Sequence, residues 1–343
     1  MTLRFSAAFL IVILLLAACK KEDFKNDDNQ YSTENTIDWM QDLIAKYPNT
    51  AITLKNISIP RAHDAGVYEL NNCTGGNACN TQTQGVSMQA MLESGIRMFD
   101  LRPRLIQGEY WTFHRTACGG LGCEGARLQS FLAETKAYLD AHNELVILEV
   151  SHLCNTGSQD PGLIAMFENE LGDRIYKQNS PLSLEFIDTP LDEIIPPSNS
   201  SGKVLLLFED ISLATQDESR GLFARSYIPI SGGYSNSPDV DYVISDQMQK
   251  MQSFNPGTNR LFELSYTFTL DNANAVMCVS NREFASSIEE LALEGRDRLS
   301  ETLNSWISAG TITSAKIPNI ISIDYCNTIV TKECIRLSEL SLN

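Results

Sequence analysis

The chain has 343 residues, with 26 Lys and Arg against 43 Asp and Glu, and a formal net charge of −17 at pH 7. Such acidity excludes a nucleic-acid binder, which needs clustered basic residues, and broad electrostatic adsorption to anionic lipid. Beyond the N-terminal region, about 300 residues suit two average domains or one barrel; no Pro/Gly/Ser linker divides them and no internal repeat is visible.

The N-terminus reads as a targeting segment. Arg4 precedes an apolar run, Phe9 to Leu16, that is too short to span a bilayer at roughly 20 residues per helix. The run ends in Leu16-Ala17-Ala18-Cys19, which resembles a bacterial lipoprotein signal. Residues 1–18 are then expected to be removed and Cys19 lipidated. Residues 19–36, polar and beginning Lys20-Lys21-Glu22-Asp23, are expected to form a flexible tether. Residues 37–343 would be one domain held at the outer membrane, on its periplasmic or surface face.

Eight further cysteines, Cys73, Cys79, Cys118, Cys123, Cys154, Cys278, Cys326 and Cys334, read as disulfides in an exported chain. Close spacing favours Cys73–Cys79, Cys118–Cys123 and Cys326–Cys334, leaving Cys154–Cys278 as a long staple. Zinc is the competing reading, but no CxxC pair occurs and the compartment is oxidising.

In chain order, Asp38 to Lys46 reads as a short helix and Ile57 to Ile59 as a strand. Val86 to Ser94 reads as helix, and Arg97 to Leu101 and Tyr110 to His114 as strands. Leu128 to Ala141 is an amphipathic helix with Leu128, Phe131, Leu132, Thr135, Tyr138 and Leu139 inward. Leu145 to Val150 is a near-continuous apolar run, as a buried parallel strand should be. A helix at Leu163 to Leu171 and strands at Lys203 to Phe208 and Arg260 to Thr267 follow. The long helix Ile288 to Ser308 precedes a last strand, Asn319 to Tyr325. Strands alternating with helices predict a parallel sheet, and about seven such units predict a (β/α)8 barrel with irregular or missing helices.

Barrel chemistry sits at the C-terminal ends of strands. His63-Asp64, then Asp100 and Arg102, then His114 follow three consecutive strands; His152, Glu209-Asp210 and Asp324 fall at or near later strand ends. Two imidazoles, carboxylates to orient them and one fixed cation suit acid–base attack on a phosphodiester. Taken singly, each residue has a structural alternative. His63 and Asp64 could cap a turn, Arg102 could pair with Asp100, His114 could be a satisfied core histidine, and Asp324 could close the barrel. His142, in a loop before a strand, reads as a turn residue on the opposite rim.

The ordered blocks SIPRAHDAG, TQTQGVSMQAMLESGIRMFDLRPRL, WTFH, FLAETKAYLDAHNELVILEVSH and IISIDYCN resemble the phosphatidylinositol-specific phospholipase C family, over about Leu54 to Asn327. The resemblance implies a distorted TIM barrel. It implies His63 as general base toward the inositol 2-hydroxyl, Asp324 as its orienting carboxylate, and His114 as general acid toward the diacylglycerol oxygen. Asp64 matches the partner near that leaving group, Arg102 the phosphate-binding cation and Asp100 a supporting residue. Arg102 and Asp64 match the metal-independent bacterial members, so neither cofactor nor Ca²⁺ is expected.

The chain also departs from the family's pattern. Arg61-Ala62 replaces a small residue and a hydroxyl residue before the His, leaving Arg61 as a phosphate contact or an outward-pointing side chain. The loop after His114 is rebuilt, with a disulfide expected in it. At the inositol-binding positions the nearest residues are Ser151-His152 and Glu209-Asp210. Asp246 roughly matches an inositol-binding Asp, with Met248 where an aromatic follows. The expected function is cleavage of phosphatidylinositol or a related inositol phospholipid, GPI anchors included, to diacylglycerol and a 1,2-cyclic inositol phosphate. The alternative is a catalytically impaired surface lipoprotein that binds glycans or lipids. A glycerophosphodiesterase barrel would want a metal-binding carboxylate set, against which Arg102 speaks.

Overall fold

The apolar runs Leu145–Val150 and Lys203–Phe208 become neighbouring strands of the parallel sheet. The computed structural model describes residues 35–178, 186–212, 215–280 and 286–343. The expected signal peptide, Cys19 and nearly all of the tether lie outside the described residues. Residues 35–343 form one compact unit.

Among the described residues twelve strands run in order: β1 Ile59–Ala62, β2 Asn71–Thr74, β3 Met98–Leu101, β4 Pro103–Ile106, β5 Glu109–Arg115 and β6 Gly122–Arg127, then β7 Leu145–Val150, β8 Lys203–Phe208, β9 Leu222–Ala224, β10 Ile230–Gly232, β11 Leu261–Tyr266 and β12 Ile320–Ile323. Eight of them form a curled parallel sheet in the order β10-β11-β12-β1-β3-β7-β8-β9. This is a distorted (β/α)8 TIM barrel. Among the described residues no ladder joins β9 to β10, so the barrel is open along that seam. β7 and β8 pair over six residues each, and every residue of β7 is buried. This agrees with its near-continuous apolar reading.

Helices cover the outside. Leu128–Ala141 buries Leu128, Phe131, Leu132, Thr135, Tyr138 and Leu139, one stripe at i, i+3, i+4 and i+7 spacing. Ile288–Ser308 begins with a capping box in which Ser287 and Glu290 satisfy each other's backbone N–H groups. The C-terminal helix, Thr328–Leu342, had no counterpart in the sequence reading.

Tyr110 to His114 was expected among the barrel strands, but β5 belongs to a second, antiparallel sheet of order β2-β6-β5-β4. The chain leaves β3 at Leu101, passes through Arg102 and enters β4 at Pro103. The two sheets meet at a close approach. The Gly66 carbonyl accepts from Thr112 Oγ1 at 2.9 Å and from the Ala126 N–H at 2.8 Å. A Cβ on Gly66 would lie 2.2 Å from the Thr112 side chain, and one on Gly125 would lie 2.3 Å from the Gly66 carbonyl oxygen. Only glycine fits at both positions.

The cysteine pairing differs from the expectation. The disulfides are Cys73–Cys123, Cys79–Cys278 and Cys118–Cys154, while Cys326 and Cys334 are free and buried. Nearness in sequence gave way to sheet topology, since Cys73 and Cys123 lie on the paired strands β2 and β6. Cys118–Cys154 does brace the rebuilt loop after His114. Burial pushes both free thiols well above their usual range. Non-reducing proteolysis with mass spectrometry should recover these three cross-linked peptide pairs. Cys326 and Cys334 should be alkylated only in denaturant; labelling of either in the native state would contradict their burial.

Candidate active site

Side chains at the C-terminal ends of the parallel strands converge on one region. His63 follows β1, and Asp64 after it is buried with a left-handed φ of 43°. His152 after β7 and Tyr325 after β12 are also left-handed, both with φ 48°. Non-glycine residues rarely hold this conformation, and it tends to persist where the surroundings over-determine it. Here it turns the chain sharply and leaves the adjacent side chains at the mouth.

His63 Nδ1 lies 2.9 Å from Asp324 Oδ1. A carboxylate can only accept, so the Nδ1 proton points to Asp324 and the Nε2 lone pair faces the site. Nε2 lies 3.2 Å from Arg102 Nη2 and 3.6 Å from Asp64 Oδ2. His114 Nδ1 lies 2.8 Å from the Thr81 carbonyl oxygen, which again fixes the proton on Nδ1 and turns Nε2 inward. That Nε2 is 3.8 Å from the same Asp64 Oδ2. The two imidazoles therefore present equivalent nitrogens to one carboxylate oxygen.

Arg102 ties the carboxylates together. Its Nη2 donates to Asp100 Oδ2 at 2.9 Å, and its Nε lies 2.5 Å from Asp64 Oδ1. The Asp64 contacts are ionic, because neither of its buried oxygens accepts a well-directed hydrogen bond. Ser151 Oγ donates to Asp100 Oδ1 at 2.8 Å. Burial pushes the Asp100 carboxyl up, but Arg102, Arg61, His63 and the Ser151 hydrogen bond outweigh it and hold the group far below the carboxylate range. Burial lowers the Arg102 guanidinium, yet Asp100 and Asp64 raise it further, so it stays charged.

Burial also lowers His63, but the Asp64 and Asp324 carboxylates prevail over burial and over Arg102, and its pKa is raised to about 8. The raised value means the fold holds this proton more tightly than the unfolded chain does. The stabilisation is complete below about pH 6.5 and is lost as pH rises through the folded value.

A polar cavity of about 300 Å³ adjoins Asp100 and Arg102. His152 and Glu209 line it, as do Arg61, Glu149, Arg225, Tyr234 and Glu263. Arg61 does not point outward. It is buried in the barrel, with Nη1 2.6 Å from Glu263 Oε1 and Nη2 2.8 Å from Glu149 Oε2. Asp246 stands outside the cavity lining; its carboxylate is 2.6 Å from Lys250 and accepts from Ser235 at 2.7 Å. The aromatic wall comes instead from Tyr234, whose ring sits edge-on to His63 at 5.5 Å. Sequence reasoning missed Tyr234, Glu149 and Glu263. Tyr234 follows the three-residue strand β10, which carries little pattern, whereas Glu149 was signalled as an acid inside the apolar run 145–150. His142 lies away from the site, paired with Asp38 at 2.8 Å and stacked on Tyr138.

On the other side of His114 is an apolar groove of about 350 Å³, lined by Thr81, Leu121, Ala275, Val276 and Val279 among others. Leu121, Val276 and Val279 are exposed by 56%, 67% and 51%. His114 lines this groove, while Arg102, which contacts His63 and Asp64, lines the charged cavity.

Histidine-resolved NMR titration should give His63 a midpoint near 8. Asp324→Asn should lower it by removing a stabilising charge; an unchanged midpoint would show that Asp324 does not govern His63.

No protein-family model matches the sequence, and no curated protein matches it. Solved structures do. A phosphatidylinositol-specific phospholipase C of Staphylococcus aureus superposes with a TM-score of 0.61 at 16% identity, covering 89% of this chain and 97% of that one. The Listeria monocytogenes phosphatidylinositol-specific phospholipase C gives 0.57 at 18% identity, covering 89% and 99%. This chain therefore has the distorted TIM-barrel fold of the bacterial phosphatidylinositol-specific phospholipases C.

Proposed function

We propose that this protein is a metal-independent phospholipase C that cleaves phosphatidylinositol or a related inositol phospholipid. One observation carries the reading. Two imidazoles flank Asp64 and Arg102, with Arg102 lining a polar cavity and His114 lining an apolar groove. A substrate with a polyol head and an apolar leaving group suits that division.

In the proposed reaction His63 Nε2 takes the proton of the inositol 2-hydroxyl. The freed oxygen attacks the phosphorus already attached to the neighbouring carbon, so proximity supplies much of the advantage. Asp324 stabilises the imidazolium that forms. Arg102, held in orientation by Asp100, neutralises charge growing on the phosphoryl oxygens. His114 gives its Nε2 proton to the diacylglycerol oxygen as the P–O bond breaks, with Asp64 keeping that proton available. A 1,2-cyclic phosphate remains in the polar cavity. Water can open it with the histidines in exchanged roles.

Among the described residues, His63, Asp64 and Asp100 are the one group with the spacing of a cation site. Arg102 already contacts all three, and a metal there would have to displace it. This supports metal independence. The acyl chains would lie toward Val276 and Val279, and a lipidated Cys19 would hold the barrel at the bilayer.

The decisive assay is release of cyclic inositol phosphate from phosphatidylinositol vesicles in EDTA. Product is expected; none from folded protein with any inositol phospholipid would reject the enzyme reading, and loss in EDTA alone would reject metal independence. His63→Ala and His114→Ala should each lower kcat by roughly 10²–10⁴-fold. Because the base must be neutral and the acid protonated, kcat/KM should be bell-shaped in pH, with the rising limb set by His63, and Asp324→Asn should move that limb to lower pH. Val276→Asp with Val279→Asp should weaken vesicle sedimentation while sparing turnover of a soluble short-chain substrate. Equal loss in both assays would place these residues outside lipid docking.

A further inference from the structure

We infer that the Thr83-Gln84 dipeptide is the positioning element that sets the geometry of the His63–Asp324 pair. The inference rests on the phospholipase reading only for its kinetic readout. The last main-chain bond between β1 and β12 runs from the His63 N–H to the Ile323 carbonyl at 3.2 Å. Beyond it both chains turn left-handed, at Asp64 and at Tyr325. The catalytic pair therefore bridges two strand ends at the point where the sheet stops holding them together.

Thr83 and Gln84 take over there. Gln84 is fully buried, with Nε2 2.8 Å from the His63 carbonyl oxygen and 3.4 Å from that of Ile323. Its Oε1 accepts from the Cys326 N–H at 3.1 Å. The three partners fix the amide's orientation, since a flip would set oxygen against two carbonyls and NH₂ against an N–H. Thr83 Oγ1 donates to the Asp64 carbonyl at 2.9 Å, and the Thr83 carbonyl accepts from the Tyr325 N–H at 2.8 Å. Each residue grips both strand ends, and neither lines the polar cavity or the apolar groove. They act through His63 and Asp324, not on substrate.

Gln84→Leu keeps the volume and removes all three side-chain bonds. Asp64, Asp324, Arg102 and Tyr234 surround His63, and a loosened Asp324 contact removes one that raises its pKa. The His63 NMR midpoint should therefore fall toward the free-imidazole value of about 6.5. The kcat should fall roughly ten- to a hundredfold, with KM within about twofold. Thr83→Val should move both in the same direction, and Thr83→Ser, which keeps the hydroxyl, should restore them. A folded Gln84→Leu with unchanged midpoint and kcat overturns the inference; if that variant does not fold, an unchanged Thr83→Val does so. The titration needs no turnover, so an inactive wild-type protein would defeat the phospholipase reading and leave this test standing.

Discussion

The parallel sheet stops short of closing, and a chain of charges, buried except at Arg225, links strands across it. Arg61 on β1 bridges Glu149 on β7 and Glu263 on β11, and Arg225, just after β9, reaches Glu149 from the seam. The chain connects β9, at one edge of the sheet, to β11, next to the other edge. Ion pairs of this kind recover little net stability against desolvation, but breaking one leaves an uncompensated buried charge, at about 3–5 kcal/mol. Their effect here is geometric. A closed eight-stranded barrel fills its interior with apolar side chains, whereas this one keeps a polar cavity beside the histidines. The same Arg61 also helps hold Asp100 ionised, so the network that shapes the barrel also conditions the site.

A second constraint decides how the two imidazoles meet. His63 belongs to the parallel barrel and His114 to the antiparallel sheet, and each would be an isolated imidazole without the other sheet. The Gly66–Gly125 approach presses the sheets together, and Arg102 occupies the residue where one sheet becomes the other. The disulfides cluster around this junction. Cys73–Cys123 joins β2 to β6, Cys118–Cys154 joins the loop after β5 to the segment after β7, and Cys79–Cys278 fastens the helix Asn272–Val279 beside the groove. The barrel holds its geometry by hydrogen bonding and burial, while the smaller sheet and its rim are covalently braced.

Local pattern made much of this legible. The helices Leu128–Ala141 and Ile288–Ser308 and the strands Leu145–Val150 and Lys203–Phe208 lie where periodicity and apolar runs put them. These segments bury one continuous face, and nothing distant overrides them. His63, Asp100, Arg102, His114 and Asp324 were legible as strand-end polar residues, and the fold brings them together. What escaped depends on contacts far apart in sequence. Arg61 is charged on a four-residue strand, and its inward course follows from Glu149 and Glu263, 88 and 202 residues away. Tyr234 needed the short strand β10 to be recognised. The cysteines were paired by nearness, while β2 and β6 were invisible because strands such as Asn71–Thr74 carry little apolar signal.

His114 reaches the other strand-end residues from outside the barrel. Three consecutive strand ends suggested one site, but the third strand is not in the barrel. The histidine reaches the site because β5 folds back over the mouth, with its Nδ1 anchored on the Thr81 carbonyl of a helix that a disulfide ties to the groove. This arrangement gives the proposed acid surroundings unlike those of the base. His63 is enclosed by carboxylates and a guanidinium, whereas His114 borders exposed aliphatic side chains. A proton donor for an apolar alcohol belongs at such a border, where the leaving oxygen would emerge between the charged interior and a lipid-compatible surface.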